Sequence, residues 1–287
     1  MISGWRQQGR SINPELSRQA TSSQYLGSTL TTASGGGYCI PASPHMFEFM
    51  FQIVSILAAQ GKEVAVLMLS YDLAPTGVYP RQLQQAATLL NHVLLNLKFA
   101  PSNIILAGDS AGSNLAIGLL SHISHPHPST TVPVPKVELQ ENFRAAVLIS
   151  PWTSFDTSDD SFVRNAYKDC VGSEPCKQWS AAWIGDAWPH KVSSDYYNQP
   201  GTAGESWWEG LRVDKVLVVA GGEEVLVDGI QRFAGTLTAS LGPDKVELVV
   251  VPGEYHDQPS IDLQFGYTEK QEGEQAKLIK RWIGSKL

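Results

Sequence analysis

The chain has few cysteines. Of its 287 residues only Cys39, Cys170 and Cys176 carry thiols, too few for a disulfide scaffold and odd in number, which points to a reducing compartment. A bridge between Cys170 and Cys176 would close only a short loop and is not expected. Positive charge is not in excess either. Lys+Arg 21 against Asp+Glu 28 gives a formal net charge of -7, so no nucleic acid or anionic membrane surface is expected as a partner. No apolar run is long enough to span a bilayer. The most apolar stretch, residues 46–59 (MFEFMFQIVSILAA), is broken by Glu48 and Gln52 and falls short of the ~20 residues a crossing needs, so it reads as a buried core helix. The opening MISGWRQQGRSINPELSRQATSSQYLGS has no apolar core of the signal-peptide kind, and a cytoplasmic location is the expectation. No fixed-period repeat is visible. The one biased tract, SHPHPSTTVPVP at 124–135, reads as a surface loop.

What is present is an alternation. Apolar, β-rich runs stand at 64–69 (VAVLML), 103–107 (NIILA), 145–149 (AAVLI), 216–220 (VLVVA) and 246–251 (VELVVV), several of them continuous, as strands covered on both faces should be. Helical patterns fall near 43–60, 81–97, 111–123, 228–241 and 270–286. This order predicts an α/β fold: a mostly parallel sheet with helices on both faces, in one domain with a small cap. In such sheets ligands gather beyond the carboxyl ends of the strands.

Those ends carry the chemistry-bearing residues. Behind the 103–107 run comes GDSAG (108–112), a serine between glycines on a strand, sharp turn, helix path. A bare G-x-S-x-G arises by chance in roughly one chain of this length in ten, so the flanking elements, and not the letters, identify a nucleophile elbow at Ser110. GGEEVLVDG follows the 216–220 run and PGEYHDQP the 246–251 run, supplying an acid and a histidine in the order Ser, acid, His. A serine hydroxyl is a poor nucleophile at neutral pH. It needs an imidazole to take its proton, and the imidazole needs a carboxylate to fix its tautomer. His256 is the base because no other histidine follows a strand end. For the acid, the residues leave Glu224, Glu223 and Asp228 open, in that order of preference; Asp228 is better placed to begin the next helix. Three glycines in ASGGGYCI (33–40) are placed to form an oxyanion loop, with the backbone N–H groups of Gly36, Gly37 and Ala111 as donors.

Taken together, SGGGY (34–38), YDLAP (71–75), GDSAG (108–112), SPW (150–152), WW (207–208), EVLVD (224–228) and PGEYH (252–256) resemble, in order, the motif series of the hormone-sensitive-lipase-like branch of the α/β hydrolases. The likeness covers roughly 34–287. It implies an α/β-hydrolase fold and hydrolysis of carboxylic esters without metal or organic cofactor, and it places the triad acid on Glu224. The GEYHDQP ending looks most like fungal members, some of which sit in natural-product pathways. Two departures stand out. Ser34 replaces the histidine that opens the family's glycine loop, and only 33 residues precede the loop where relatives carry initial strands and cap helices. Residues 1–33 are therefore read as an N-terminal segment, with a shortened cap or missing N-terminal strands as its explanations. Residues 34–287 are read as the hydrolase domain, with a cap insertion over about 153–200.

The expected substrate is a neutral, moderately apolar ester or carbonyl compound, since no Arg cluster accompanies the site. Aromatics of the insertion (Trp179, Trp183, Trp188, Tyr196, Tyr197) would form the cap's own core or line the pocket. Two other function classes compete. One is a non-hydrolytic enzyme of a fungal natural-product pathway, condensing or cyclising a carbonyl compound with the same histidine and oxyanion loop. The other is a ligand-binding, hydrolase-like protein, which an intact Ser, acid and His argue against. Oligomeric state is not readable from the sequence.

Overall fold

The computed structural model describes residues 28–33, 35–185 and 195–287. Ser34, Trp188, His190 and most of the N-terminal segment lie outside the described residues. The described strands are β1 (Ser28–Ala33), β2 (Val64–Leu69), β3 (Ile104–Asp109), β4 (Ala145–Ile149), β5 (Val216–Gly221) and β6 (Val246–Val251). The helices are α1 (Pro44–Ala59), α2 (Arg81–Asn91), α3 (Ala111–Ser124), α4 (Ser161–Arg164), α5 (Ser173–Ile184), α6 (Val227–Leu241), α7 (Gln258–Gln264) and α8 (Glu274–Lys286).

The six strands pair in the order β2-β1-β3-β4-β5-β6, every pair parallel. Parallel strands need crossover connections, and helices supply them on both faces. The continuous apolar runs are explained by this arrangement. In β3, Ile104 and Leu106 face one core while Ile105 and Ala107 face the other. In β5, Val216, Val218 and Ala220 join the first core and Leu217 and Val219 the second. The first core is built with α2, α3, α6 and the insertion, the second with α1 and α8 through Phe49, Ile53, Leu57, Ile279 and Ile283. Each fully buried aliphatic side chain contributes roughly 1.5–3 kcal/mol.

Some boundaries differ from the expected pattern. α2 ends at Asn91 and gives way to a π-helical turn over His92–Asn96, where Leu97 N bonds His92 O at 3.0 Å. α8 begins at Glu274, because the residues before it form a short 3-10 turn, Glu269–Gln271, closed by Thr268 and Gln271 in a capping box. α7 went unread in the sequence: seven residues opening on Gln258-Pro259 are too few to show a helical period. β1 starts inside the N-terminal segment and leads directly into the glycine loop.

Register brings the site together. Ala33 pairs with Gly108, Asp109 with Ile149, and Gly221 with Val251. The glycine loop, the Ser110 turn, Ser150, and the loops after β5 and β6 therefore leave one edge of the sheet side by side.

Candidate active site

Ser110 sits at φ 51°, ψ -115°, between β3 and the first turn of α3. A left-handed φ at a residue with a Cβ costs on the order of 1–3 kcal/mol, and the surroundings hold it there. Ser110 N donates to Ile149 O at 2.9 Å, and Ser110 O accepts from Asn114 N at 3.1 Å and Trp152 N at 3.2 Å. The turn needs glycine at its base: a Cβ on Gly108 would lie 2.3 Å from the carbonyl carbon of Gly112. The sharp reversal leaves Ala111 as the first residue of α3, its N–H without an intrahelical acceptor.

The glycine loop is pinned from both sides. Gly35 N donates to Asp109 Oδ2 at 3.1 Å, and the Tyr71 hydroxyl donates to Gly35 O at 3.3 Å. Tyr38, fully buried, donates from its hydroxyl to Asn114 Oδ1 at 2.8 Å and stacks on Trp183 with ring centroids 3.8 Å apart. Gly36 and Gly37 adopt φ +90° and +58°. Among the described residues nothing accepts the N–H of Gly36, Gly37 or Ala111.

Of the three acids left open by the sequence, Glu224 is the one that contacts His256. Glu224 is fully buried, and its Oε2 accepts from His256 Nδ1 at 3.1 Å. Its Oε1 accepts from Ser150 Oγ at 2.6 Å and Gly221 N at 2.5 Å. Glu223 instead pairs with Lys168 at 3.3 Å at the surface. Asp228 receives Arg164 Nη1 and Ser161 N, both at 2.9 Å. Among the described residues no hydrogen bond or ion pair joins either of them to His256.

The other imidazole nitrogen faces a second carboxylate. His256 Nε2 lies 3.3 Å from Asp257 Oδ2, and among the described residues no hydrogen bond joins it to Ser110. His256 N also donates to Asp169 Oδ1 at 3.1 Å. Burial alone would pull the His256 pKa down. The charge of Asp257, followed by the hydrogen bond and charge of Glu224, outweighs burial and raises it to about 10. Asp257 is pushed well above the carboxylate range by burial, against the pull of His256 and with help from Asp109 and Glu224. Burial lifts Asp109 to about 6 despite the Gly35 N–H and the nearby His256. Asp109 and Asp257 share a small pocket with Met46, Phe49, Met50, Met68 and Ile149.

Asp257, Asp109, Asp169 and Ser150 were not singled out from the sequence. Asp257 and Asp109 lay in view inside HDQP and GDSAG. A residue beside a functional one gives no sign of which way its side chain turns.

In the insertion, Trp179 of α5 lies against the glycine loop: a Cβ on Gly37 would come 2.4 Å from its ring. Trp183 is buried, donates to Gln82 Oε1 at 2.9 Å and packs with Tyr38, Trp152 and Phe155. Tyr196 and Tyr197 pack on Trp207. Among the described residues no group of His, Cys, Asp and Glu is arranged to hold a metal, and no helix is long and apolar enough to cross a membrane.

The Acetyl-hydrolase of Streptomyces hygroscopicus is 31% identical over 204 residues, 70% of this chain. The chain spans 59% of that protein's length. An esterase from the bacterial hormone-sensitive lipase family superposes with a TM-score of 0.68 at 26% identity, covering 91% of this chain and 75% of that one. Carboxyl esterase 2 of the mycorrhizal fungus Tuber melanosporum shares the fold, with a TM-score of 0.70, 20% identity and coverage of 91% and 77%. A family model described as alpha/beta hydrolase fold matches residues 32–259, from the end of β1 through the histidine loop. The chain belongs to that alpha/beta hydrolase family.

Proposed function

We propose that the chain is a serine hydrolase of neutral, moderately apolar carboxylic esters, working through an acyl-enzyme. Ser110 Oγ attacks the ester carbonyl carbon as its proton passes to His256 Nε2. Glu224 holds the imidazole by Nδ1 and steadies its positive form. The carbonyl oxygen, now negative, is held by the N–H groups of Gly36, Gly37 and Ala111; one such donor typically contributes ~10²- to 10³-fold in rate. The tetrahedral adduct collapses, and the leaving alcohol takes the proton from His256. Water then gives a proton to the same Nε2 and attacks the acyl group on Ser110. A second collapse releases the acid and restores the serine.

The observation that carries this reading is the left-handed turn at Ser110 beside three N–H groups without acceptors among the described residues. The family's esterases and the acetyl-hydrolase relative point the same way. The test is hydrolysis of p-nitrophenyl acetate, butyrate and octanoate by wild type and Ser110→Ala, both shown folded by circular dichroism. Turnover lost in Ser110→Ala supports the reading. Equal turnover in both proteins would exclude Ser110 as nucleophile.

A second reading has one observation in its favour, the pairing of His256 Nε2 with Asp257 and not with Ser110. An imidazole turned away from Ser110 would, once it has given up its Nε2 proton, take a proton from carbon beside a carbonyl, in a condensation or cyclisation. It predicts no turnover of simple esters and loss of function on changing His256 but not Ser110.

A further inference from the structure

Asp257 Oδ2 lies 3.3 Å from Nε2 of His256, the nitrogen that would face the serine, yet nothing in a Ser, acid, His scheme calls for it. Three features show that it is built into the site. Its backbone is left-handed at φ 50°, ψ 28°, which turns the side chain back across the imidazole of the preceding residue. Its N–H is tied to Ser150 Oγ at 3.2 Å, the same hydroxyl that holds Glu224. Among the described residues its Oδ1 is buried without a hydrogen-bond partner, in the pocket lined by Met46, Phe49, Met50, Met68 and Ile149. A carboxylate with an unpartnered buried oxygen is poorly solvated, and such a group favours its neutral, protonated form.

We propose that Asp257 is a positioning residue that holds His256 Nε2 in the substrate-free protein and keeps its proton when the imidazole turns to Ser110. With Nδ1–H on Glu224 and Nε2–H on Asp257, the ring carries both protons and cannot act as a base. Release requires one transfer: the Nε2–H bond breaks and an Asp257 Oδ2–H bond forms. Imidazolium and carboxylate become neutral imidazole and neutral carboxyl, so the net charge of the pair is unchanged. The freed Nε2 can then accept the Ser110 proton. Asp257 keeps its proton through the cycle in surroundings that favour the uncharged acid.

The neighbouring ionisable groups fit this division. Glu224 faces Nδ1 from the loop after β5, and Asp169 faces the His256 backbone from the insertion, with Cys170 Sγ on the His256 carbonyl at 3.5 Å. Asp109 faces Asp257 from the end of β3, but its Oδ2 already takes the Gly35 N–H, which favours its charged form. Of the two carboxyls in the apolar pocket, Asp257 is the one to hold the proton.

The proposal rests on the serine-hydrolase reading, and the test separates the two. Wild type, Asp257→Asn and Asp257→Gly are compared by the pH dependence of kcat/KM on p-nitrophenyl acetate and, independently of turnover, by NMR titration of the His256 imidazole, identified by its loss in His256→Asn. Asn and Gly are both at home in the left-handed region, so these variants keep the local backbone. The expected result is a His256 midpoint at least about one pH unit lower in both variants. The acidic limb of kcat/KM should follow, a gain of about tenfold or more at a fixed pH on that limb. Unchanged midpoints in folded variants would overturn the proposal even if hydrolysis depends on Ser110. Lowered midpoints without any Ser110-dependent turnover would uphold the role of Asp257 and sink the ester-hydrolase reading instead.

Discussion

Ser150 Oγ donates a 2.6 Å hydrogen bond to Glu224 Oε1. The contact links the end of β4 to the acid loop after β5, and the same hydroxyl receives the N–H of Asp257 from the loop after β6. Replacing Ser150 with Ala leaves a fully buried carboxylate one donor short. A hydrogen bond to a charged group is worth about 1.5–3 kcal/mol, so Ser150→Ala should lower unfolding stability in urea by that amount. A change below about 0.5 kcal/mol would mean the hydroxyl is replaceable, for instance by water.

Glu224 and its two sequence neighbours in candidacy separate cleanly in the proposed mechanism. Glu224→Gln should lower kcat by on the order of 10⁴-fold, as loss of the carboxylate does in serine triads generally. Glu223→Gln and Asp228→Asn should leave kcat nearly unchanged, since Lys168 and Arg164 hold those carboxylates away from the imidazole. A large kcat loss in Asp228→Asn with Glu224→Gln active would reverse the assignment.

Trp179 and Gly37 cannot both stay in place if Gly37 gains a methyl, because the new carbon would sit 2.4 Å from the indole. Gly37→Ala should therefore cost ~10²-fold in rate by displacing an oxyanion donor, and part of the loss should return in the Trp179→Ala background. Trp179→Ala alone should raise the rate on p-nitrophenyl octanoate relative to acetate. Identical losses for Gly37→Ala in both backgrounds would show that backbone strain at φ +58°, and not the ring, is responsible.

Stability should fall as the solution turns alkaline. In the folded chain the His256 pKa is raised from 6.5 to about 10, the charges of Asp257 and Glu224 overcoming burial. A raised pKa contributes stability that is complete below about pH 6.5 and lost as pH climbs through about 10. Asp257 is raised too, so its contribution runs in the same direction. Urea midpoints for wild type should decline across that window, and less steeply for His256→Asn. A midpoint that rises with pH there would contradict the charged pairing around the ring.

Much of the fold was legible because it is written locally. β2 and β6 are bounded as their apolar runs are, and α1, α3 and α6 begin and end within a residue or two of their helical patterns. α2 and α8 drifted further, at a π turn and a 3-10 turn whose hydrogen bonds leave no periodic trace. At the site, the residues left three acids open with Glu224 preferred, and the resemblance to a family pointed to Glu224 independently.

The sequence by itself determined the alternation that makes a doubly covered parallel sheet, and the glycine-flanked turn that carries Ser110, since hydrophobic period and steric allowance act over a few neighbouring residues. Tertiary structure alone decided that Glu224 reaches His256 from 32 positions away, that Trp179 lies on Gly37, and that Asp257 turns back onto its neighbour's ring. Those contacts depend on strand register and side-chain direction. A shift of one residue in a register, or of one rotamer, would separate the partners while leaving every local pattern intact.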